Sequence, residues 1–136
     1  MAKDNDSKIK NLLSAIEGKK KSMGTKPKPI WKTNGVLENT NINTINTTEK
    51  CVVLAARLLK EQQMTRQACE FLGVKVEDSA RAEYLNDALE DLKLRVQIVQ
   101  WDAEKKKLQA LENQLKDLRS EDLKTADALA DIEGLL

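Results

Sequence analysis

The sequence predicts an all-α fold, made of a helical hairpin and a long amphipathic helix with coiled-coil character, preceded by an extended basic N-terminal arm. Between Val74 and Gly134 the chain has neither glycine nor proline, and aliphatic residues recur every three or four positions among dense charges. This is the pattern of an amphipathic helix. The chain has four aromatic residues, and an aliphatic core with so few rings favours helix-on-helix packing over a β-sandwich.

Charge is distributed unevenly along the 136 residues. Residues 1–32 contain nine lysines and three acids, a net charge of +6, whereas residues 75–136 contain ten basic and fifteen acidic residues, a net charge of −5. A basic arm of this kind would contact an acidic partner, its own helical body or a second copy. We therefore expect residues 1–46 to form a basic, partly disordered arm with an Asn/Thr-rich loop, and residues 47–136 to form a helical domain.

The first expected element is a short amphipathic helix. Asp6 or Ser7 would cap it and Gly18 would end it. Its apolar residues follow at helical spacing, namely Ile9, Leu12, Leu13 and Ile16. A helix of this length is marginal in water, so it must dock or fray. The lysine-, glycine- and proline-rich residues 18–29 that follow predict an extended linker.

Residues 30–46 predict an ordered loop or a short β-hairpin. Asparagine and threonine dominate this segment, and neither helical periodicity nor a convincing strand pattern emerges. Asn34-Gly35 is a turn signal. Residues 46–49 fit a capping box. They would open a helical hairpin at about residues 47–73, with a short break at Gln63–Thr65 and an end at Gly73.

A long helix is expected at about residues 79–119. Its apolar stripes lie on opposite faces over residues 92–101, which would place this stretch between two packing partners. A strand is the alternative there, because the residues LKLRVQIV also alternate with period two. A break at Arg119-Ser120 would precede a last helix at about residues 121–133, forming an antiparallel hairpin or an intermolecular coiled coil. Three acid-first i,i+4 pairs would each add about 0.3 kcal/mol: Asp91–Arg95, Asp102–Lys106 and Glu112–Lys116.

The distal part of the long helix predicts self-association. The predicted hairpin at residues 47–73 is too short to cover both apolar faces of the long helix. Each leucine left in water would lose about 2 kcal/mol of burial free energy. We therefore expect a homo-oligomer, a dimer first of all. Its contact residues would be Leu108, Leu111, Leu115 and Leu118.

The residue types argue against catalysis. The chain contains no histidine, which removes the usual general base and the commonest metal ligand. Two isolated cysteines cannot form a zinc site and are expected to be small buried hydrophobes in a reducing compartment. Acidic groups such as Asp87, Glu90 and Asp91 are ordinary on a solvated helix face. We expect no enzyme, no metal and no cofactor.

Two binding hypotheses remain. The first is a protein partner engaged by the Asn/Thr-rich loop, and its candidate residues are Trp31, Lys32, Asn34, Asn41 and Asn43. The second is a nucleic acid or nucleotide, held by phosphate contacts to lysines and by stacking on Trp31. The lysines concerned are Lys19, Lys20, Lys21, Lys26 and Lys28. No apolar run is long enough for a membrane span or a signal peptide, so we expect a cytoplasmic protein without a membrane partner.

Two resemblances bear on function. MTRQACEFLGV resembles the middle of helix-turn-helix proteins, but the residues that follow, KVEDSARAEYLNDALED, are acidic where DNA would lie. In composition alone, the chain resembles the small, lysine-rich helical proteins that bacteriophages encode, which implies a host- or defence-directed binding role. The sequence thus favours a non-enzymatic adaptor or inhibitor. A structural coiled-coil component of a larger assembly is the other alternative.

Overall fold

The computed structural model describes the backbone of residues 2–135 and the side chains of residues 6–119. Most of this part is helical, in α1 (Ala2–Met23), α2 (Thr48–Leu72) and α3 (Ala80–Leu135). A two-stranded antiparallel hairpin, β1 (Val36–Leu37) and β2 (Thr40–Asn41), precedes α2. The predicted all-α class is confirmed at this level, and so is a short hairpin within residues 30–46.

The chain forms two compact units. The central unit is Lys26–Asp102, and the terminal unit combines Met1–Thr25 with Ala103–Leu136. The boundary predicted between residues 46 and 47 lies inside the central unit, because the Asn/Thr-rich loop packs there against α2 and α3.

The basic arm is helical through Met23 and not extended from Gly18 onward. Lysine is a good helix former, and one glycine inside a helix costs only about 1 kcal/mol. The helix ends instead where Gly24 takes a left-handed conformation, with φ 64°, and donates its N–H to the Lys20 carbonyl at 3.3 Å. This is an αL cap. The irregular linker therefore covers only residues 24–29 and is shorter than the predicted linker of residues 18–29.

Helix α2 is continuous, so the predicted break at Gln63–Thr65 is wrong. No glycine or proline interrupts the segment, and threonine is only slightly unfavourable inside a helix. The predicted ends near residues 47 and 73 are confirmed, but the N-cap is Thr47, one residue after the Asn46 that the predicted capping box requires. The Thr47 side chain accepts a hydrogen bond from the Lys50 N–H at 3.1 Å, and Gly73, with φ 69°, forms the C-cap.

Helix α3 is likewise continuous, which excludes both the strand alternative at residues 92–101 and the break at Arg119-Ser120. Ser79 caps its start, accepting the Ala82 N–H at 3.2 Å, which agrees with the predicted start at about residue 79. Ser120 is tolerated because serine costs a helix well under 1 kcal/mol. The packing expected for residues 121–133 lies outside the described side chains.

The core of the central unit lies where the loop, α2 and α3 meet. Its fully buried side chains include Leu37 and Ile42 from the loop, Leu58 from α2 and Leu85 from α3. Helices α2 and α3 run antiparallel, since Cys51 at the start of α2 lies near Arg95 of α3, whereas Gln62 further along α2 is hydrogen-bonded to Asn86. In the described part of the chain, no helix is long and apolar enough to cross a membrane.

Candidate functional site

The loop of residues 30–46, called here the anchored loop, is fastened to one face of α3 by polar side chains. These are Arg81, Tyr84, Asp91 and Arg95. Their spacings of three, seven and four residues place them on one side of a helix. Ala88 lies between them and is fully buried, so the small side chain lets the loop approach closely. We call these four residues the anchoring face.

Asp91 is the central anchor. It is 2 % exposed, and its carboxylate accepts three hydrogen bonds from the loop. The Lys32 N–H donates at 2.8 Å, the Thr33 N–H at 2.9 Å and the Thr33 hydroxyl at 2.6 Å. A buried carboxylate is tolerated only when hydrogen bonds replace its water, and bonds to a charged acceptor are the stronger kind. The start of the loop is therefore held in one position.

The rest of the anchoring face holds the hairpin and the end of the loop. Arg95 donates from Nε to the Ile45 carbonyl at 2.9 Å and from a terminal nitrogen to the Asn43 carbonyl at 3.3 Å. Tyr84 accepts the Glu38 N–H at its hydroxyl at 2.8 Å. Arg81 pairs with Glu38 at 2.8 Å and also with Glu61 of α2. Loop, α2 and α3 are thus cross-linked by polar contacts.

The backbone of the loop is bent at two turns. Asn34 and Gly35 have φ values of 59° and 81°, and Glu38 and Asn39 at the hairpin tip have 47° and 62°. Two successive positive φ values are typical of a type I′ turn, which matches the twist of a hairpin. Asparagine tolerates this region better than most residues. The Asn34-Gly35 pair therefore predicted a turn correctly. Asn34 and Asn39 adopt the positive φ values that the two turns require.

Gly35→Ala is expected to destabilise the central unit by about 1–2 kcal/mol, because a side chain at positive φ is strained. The new Cβ would also lie 3.3 Å from Trp31 Cδ1. The matched control is Gly18→Ala in α1, where nothing lies within 4 Å of the new methyl group and helix propensity should add about 0.5–1 kcal/mol. Urea unfolding of both variants measures the difference, and equal stabilities would contradict this account of the turn.

Trp31 packs against the core of the central unit and is only half-buried. Its ring therefore contributes to the stability of the fold. The hypothesis that nucleic-acid bases stack on Trp31 did not include this role. The other predicted partner-binding residues are exposed, namely Lys32, Asn34, Asn41 and Asn43. Asn41 also has a structural task, since its side chain accepts the Asn43 N–H at 2.9 Å and caps the turn at Ile42–Thr44.

Three of the lysines proposed for nucleic-acid contact pair with acids of α3. In the terminal unit, Lys19 contacts Glu104 at 2.5 Å and Lys20 contacts Glu112 at 3.7 Å. In the central unit, Lys26 contacts Asp102 at 3.3 Å, and its ammonium lies 5.5 Å from the centre of the Trp101 ring. Much of the basic arm therefore folds back on acids of its own chain. Lys21 and Lys28 are exposed.

The leucine stripe predicted to drive oligomerisation is partly covered within the chain. In the terminal unit α1 runs antiparallel to α3, since Lys19 contacts Glu104 while Leu12 and Leu118 line one open cleft of about 510 Å³. Leu108 is buried, and Leu111, Leu115 and Leu118 are half-buried. Helix α1 therefore covers part of this stripe within the chain. Oligomerisation itself stays a prediction.

Three titratable groups, Cys51, Arg81 and Glu104, have shifted pKa values, and packing or ion pairing explains each shift. Burial raises the pKa of the Cys51 thiol, although Arg95 acts in the opposite direction. The hydrogen bond to Glu61 raises the pKa of the Arg81 guanidinium. In the terminal unit, the hydrogen bond from Lys19 lowers the pKa of Glu104. Both cysteines are buried and unpaired, as predicted. Among the described residues, no group of acids and cysteines is arranged to hold a metal ion.

Comparison with protein-family models, with curated proteins and with solved structures finds no match to this chain.

Sequence reasoning missed the anchoring face because it paired Asp91 with Arg95 along the helix. In the structure Asp91 and Arg95 bind different parts of the loop. The acids of the other two predicted pairs, Asp102 and Glu112, contact Lys26 and Lys20. One signal was available, since aspartate, arginine and tyrosine recur at heptad-like spacing on a face that also carries the buried Ala88.

Proposed function

We propose that this protein is a non-enzymatic binding protein, an adaptor or inhibitor, and that the outer surface of the anchored loop engages a protein partner. The observation that carries the proposal is the buried Asp91 carboxylate with its three hydrogen bonds to Lys32 and Thr33. A simple connector between two helices needs only a few residues and no such anchor. An ordered loop of this length on a rigid helix pair is typical of a binding element.

Rigidity gives the loop an advantage in binding. Ordering a flexible segment on association costs about 0.5–1.5 kcal/mol for each immobilised side chain and more for its backbone. Because the anchoring face already orders the loop backbone when the protein folds, binding a partner does not incur the backbone part of that free-energy cost. The loop then presents Ile30, which is 73 % exposed, beside exposed Lys32 and Asn34. An exposed aliphatic side chain next to amide and ammonium groups suits a mixed apolar and polar protein surface.

The nucleic-acid alternative rests on fewer groups than the sequence suggested. Half-buried Trp31 packs on the core, and Lys19, Lys20 and Lys26 pair with acids. The exposed lysines Lys21 and Lys28 still support nucleic-acid binding. Two phosphate contacts would give only a shallow dependence of affinity on salt. We therefore place this function second.

The test is a pull-down from the native cell with wild-type protein and with a loop variant, Lys32→Ala/Asn34→Gly/Asn43→Ala. Glycine at position 34 keeps the positive φ, and alanine at positions 32 and 43 keeps the backbone groups that Asp91 and Arg95 bind. The fold should therefore survive, which circular dichroism checks. We expect the wild type to recover one stoichiometric protein and the loop variant to lose it.

The matched control is Lys21→Ala/Lys28→Ala, which removes two exposed charges outside the anchored loop and should retain the partner. Loss of binding in this control, together with oligonucleotide binding that weakens as salt rises, would favour the nucleic-acid alternative. Equal recovery by the loop variant and the wild type would refute the proposed role of the loop.

A further inference from the structure

Helix α1 is held on α3 by few groups. Among the described side chains of α1, Ile16 alone is buried, at 5 % exposure, whereas Leu13 is 37 % exposed. Towards the start of α1 the packing is incomplete, because Leu12 and Leu118 line an open cleft of about 510 Å³. Most of the stability of a protein helix comes from its packing. The docking of α1 therefore depends on the short stretch around Ile16.

This stretch combines one apolar contact region with two ion pairs. Each helix contributes one buried aliphatic residue, and the paired charges lie three or four positions from it, which is one helical turn. Successive residues are about 100° apart around a helix, so the two ion pairs lie on different flanks of the contact. We call these six residues the clasp, namely Ile16, Lys19 and Lys20 of α1 and Glu104, Leu108 and Glu112 of α3.

The ion pairs of the clasp are open to solvent. In the pair of Lys20 with Glu112, at 3.7 Å, the side chains are 60 and 36 % exposed. In the pair of Lys19 with Glu104, at 2.5 Å, they are 21 and 41 % exposed. Dissolved ions screen such pairs, since the Debye length falls from about 10 Å at 0.1 M salt to about 3 Å at 1 M. Anions that reach the two lysines therefore compete directly with the α3 carboxylates.

Glu104 is not left alone when α1 departs. Lys107, one turn further along α3, contacts the same carboxylate at 3.2 Å, and both Lys19 and Lys107 lower the pKa of Glu104. Release of α1 therefore exchanges two partners of Glu104 for one. The two lysines of α1 have no such substitute within the clasp, so a dissolved anion is the natural replacement for Glu104 and Glu112.

We propose that the clasp is a switch, and that anions competing for Lys19 and Lys20 release α1 from α3. An anion that pairs with these lysines binds the released form better than the docked form, in which carboxylates occupy them, and so shifts the equilibrium towards release. Release uncovers the leucine stripe of α3, whose half-buried members are Leu111, Leu115 and Leu118. The switch lies in the terminal unit and does not depend on the anchored loop or on the proposed function.

The experiment is hydrogen exchange of the full chain followed by mass spectrometry. Exchange of the backbone amides of residues 9–23 should rise about three- to tenfold between about 0.05 and 0.5 M NaCl, the range expected for losing two exposed ion pairs. Amides of residues 50–70 and 82–98 in the central unit should not change and serve as the internal reference. Sodium polyphosphate, a multivalent anion, should release α1 at constant ionic strength.

Charge variants test the clasp itself. Glu104→Gln/Glu112→Gln should show fast exchange of α1 already at low salt, with little further dependence on NaCl, because glutamine keeps the helix propensity but removes both carboxylates. The matched control is Glu70→Gln/Glu77→Gln, which changes two exposed acids of the central unit and the net charge by the same amount. This control should keep the salt dependence of the wild type.

An apolar pair of variants tests where α1 is held. Ile16→Ala should release α1 at every salt concentration, whereas Leu13→Ala, on the same helix but more exposed, should exchange like the wild type. The proposal is overturned if exchange of α1 is independent of NaCl, or if polyphosphate has no effect at constant ionic strength. It is equally overturned if Glu104→Gln/Glu112→Gln keeps the salt dependence of the wild type, or if the control variant loses it.

Discussion

Asp91→Ala is expected to destabilise the central unit by about 3 kcal/mol. The change leaves the Lys32 N–H, the Thr33 N–H and the Thr33 hydroxyl without their buried acceptor. Each hydrogen bond to a charged group contributes about 1.5–3 kcal/mol, and part of that is recovered when water enters the site. The midpoint of thermal unfolding of this unit should fall by roughly 10–20 °C.

A graded series makes this prediction specific. Thr33→Val removes one of the three hydrogen bonds and should cost about 1 kcal/mol. Glu90→Ala is the matched control, since Glu90 precedes Asp91 on α3, is exposed, and contacts Lys93 only in a surface ion pair at 3.4 Å. Such pairs contribute less than about 1 kcal/mol. If Asp91→Ala unfolds at the same temperature as Glu90→Ala, Asp91 does not anchor the loop.

Leu85→Ala is expected to cost about 2–5 kcal/mol, the range for a buried leucine that leaves a cavity. Leu85 is fully buried among Leu37, Leu58 and Leu92, so loop, α2 and α3 would all lose contacts. The midpoint of urea unfolding should fall while its slope stays constant, because the surface exposed on unfolding is unchanged.

The matched control for this prediction is Leu72→Ala at the end of α2. Leu72 is 70 % exposed, and exposed substitutions change stability by about 0.5 kcal/mol or less. If the two leucine variants unfold at the same urea concentration, the core does not lie where the buried side chains place it.

The helix ends illustrate what local sequence predicts. Thr47, Gly73 and Ser79 stop or start helices as expected, because capping depends on the side chain and backbone of a few neighbouring residues. Where two local signals competed, the prediction failed. Gly18 predicts the end of α1, yet the helix continues to Met23, since the cost of one glycine is offset by lysines that favour helix and pair with α3.

The sequence predicted an ordered segment at residues 30–46, but not the contacts that order it. The Asn/Thr-rich content and the Asn34-Gly35 pair indicated an ordered, turn-forming segment, and the structure has one there. What orders it is a carboxylate 59 residues away from Lys32 in the chain. The heptad-like spacing of the anchoring face is visible in the sequence, but it does not identify Lys32 and Thr33 as the partners of Asp91, because the same aspartate fits equally well in a helical i,i+4 ion pair.

Composition and periodicity by themselves determined that this chain is helical, that its charge is split between its ends, and which residues share each helix face. These properties follow from the local geometry of 3.6 residues per turn. The tertiary structure alone decided which surface meets each face: α1 on the distal leucines, the loop on Asp91 and Arg95, and solvent on the outer side of α2. A hydrophobic or charged stripe specifies the need for a partner, whereas the partner's identity depends on shape and distance among residues far apart in the chain.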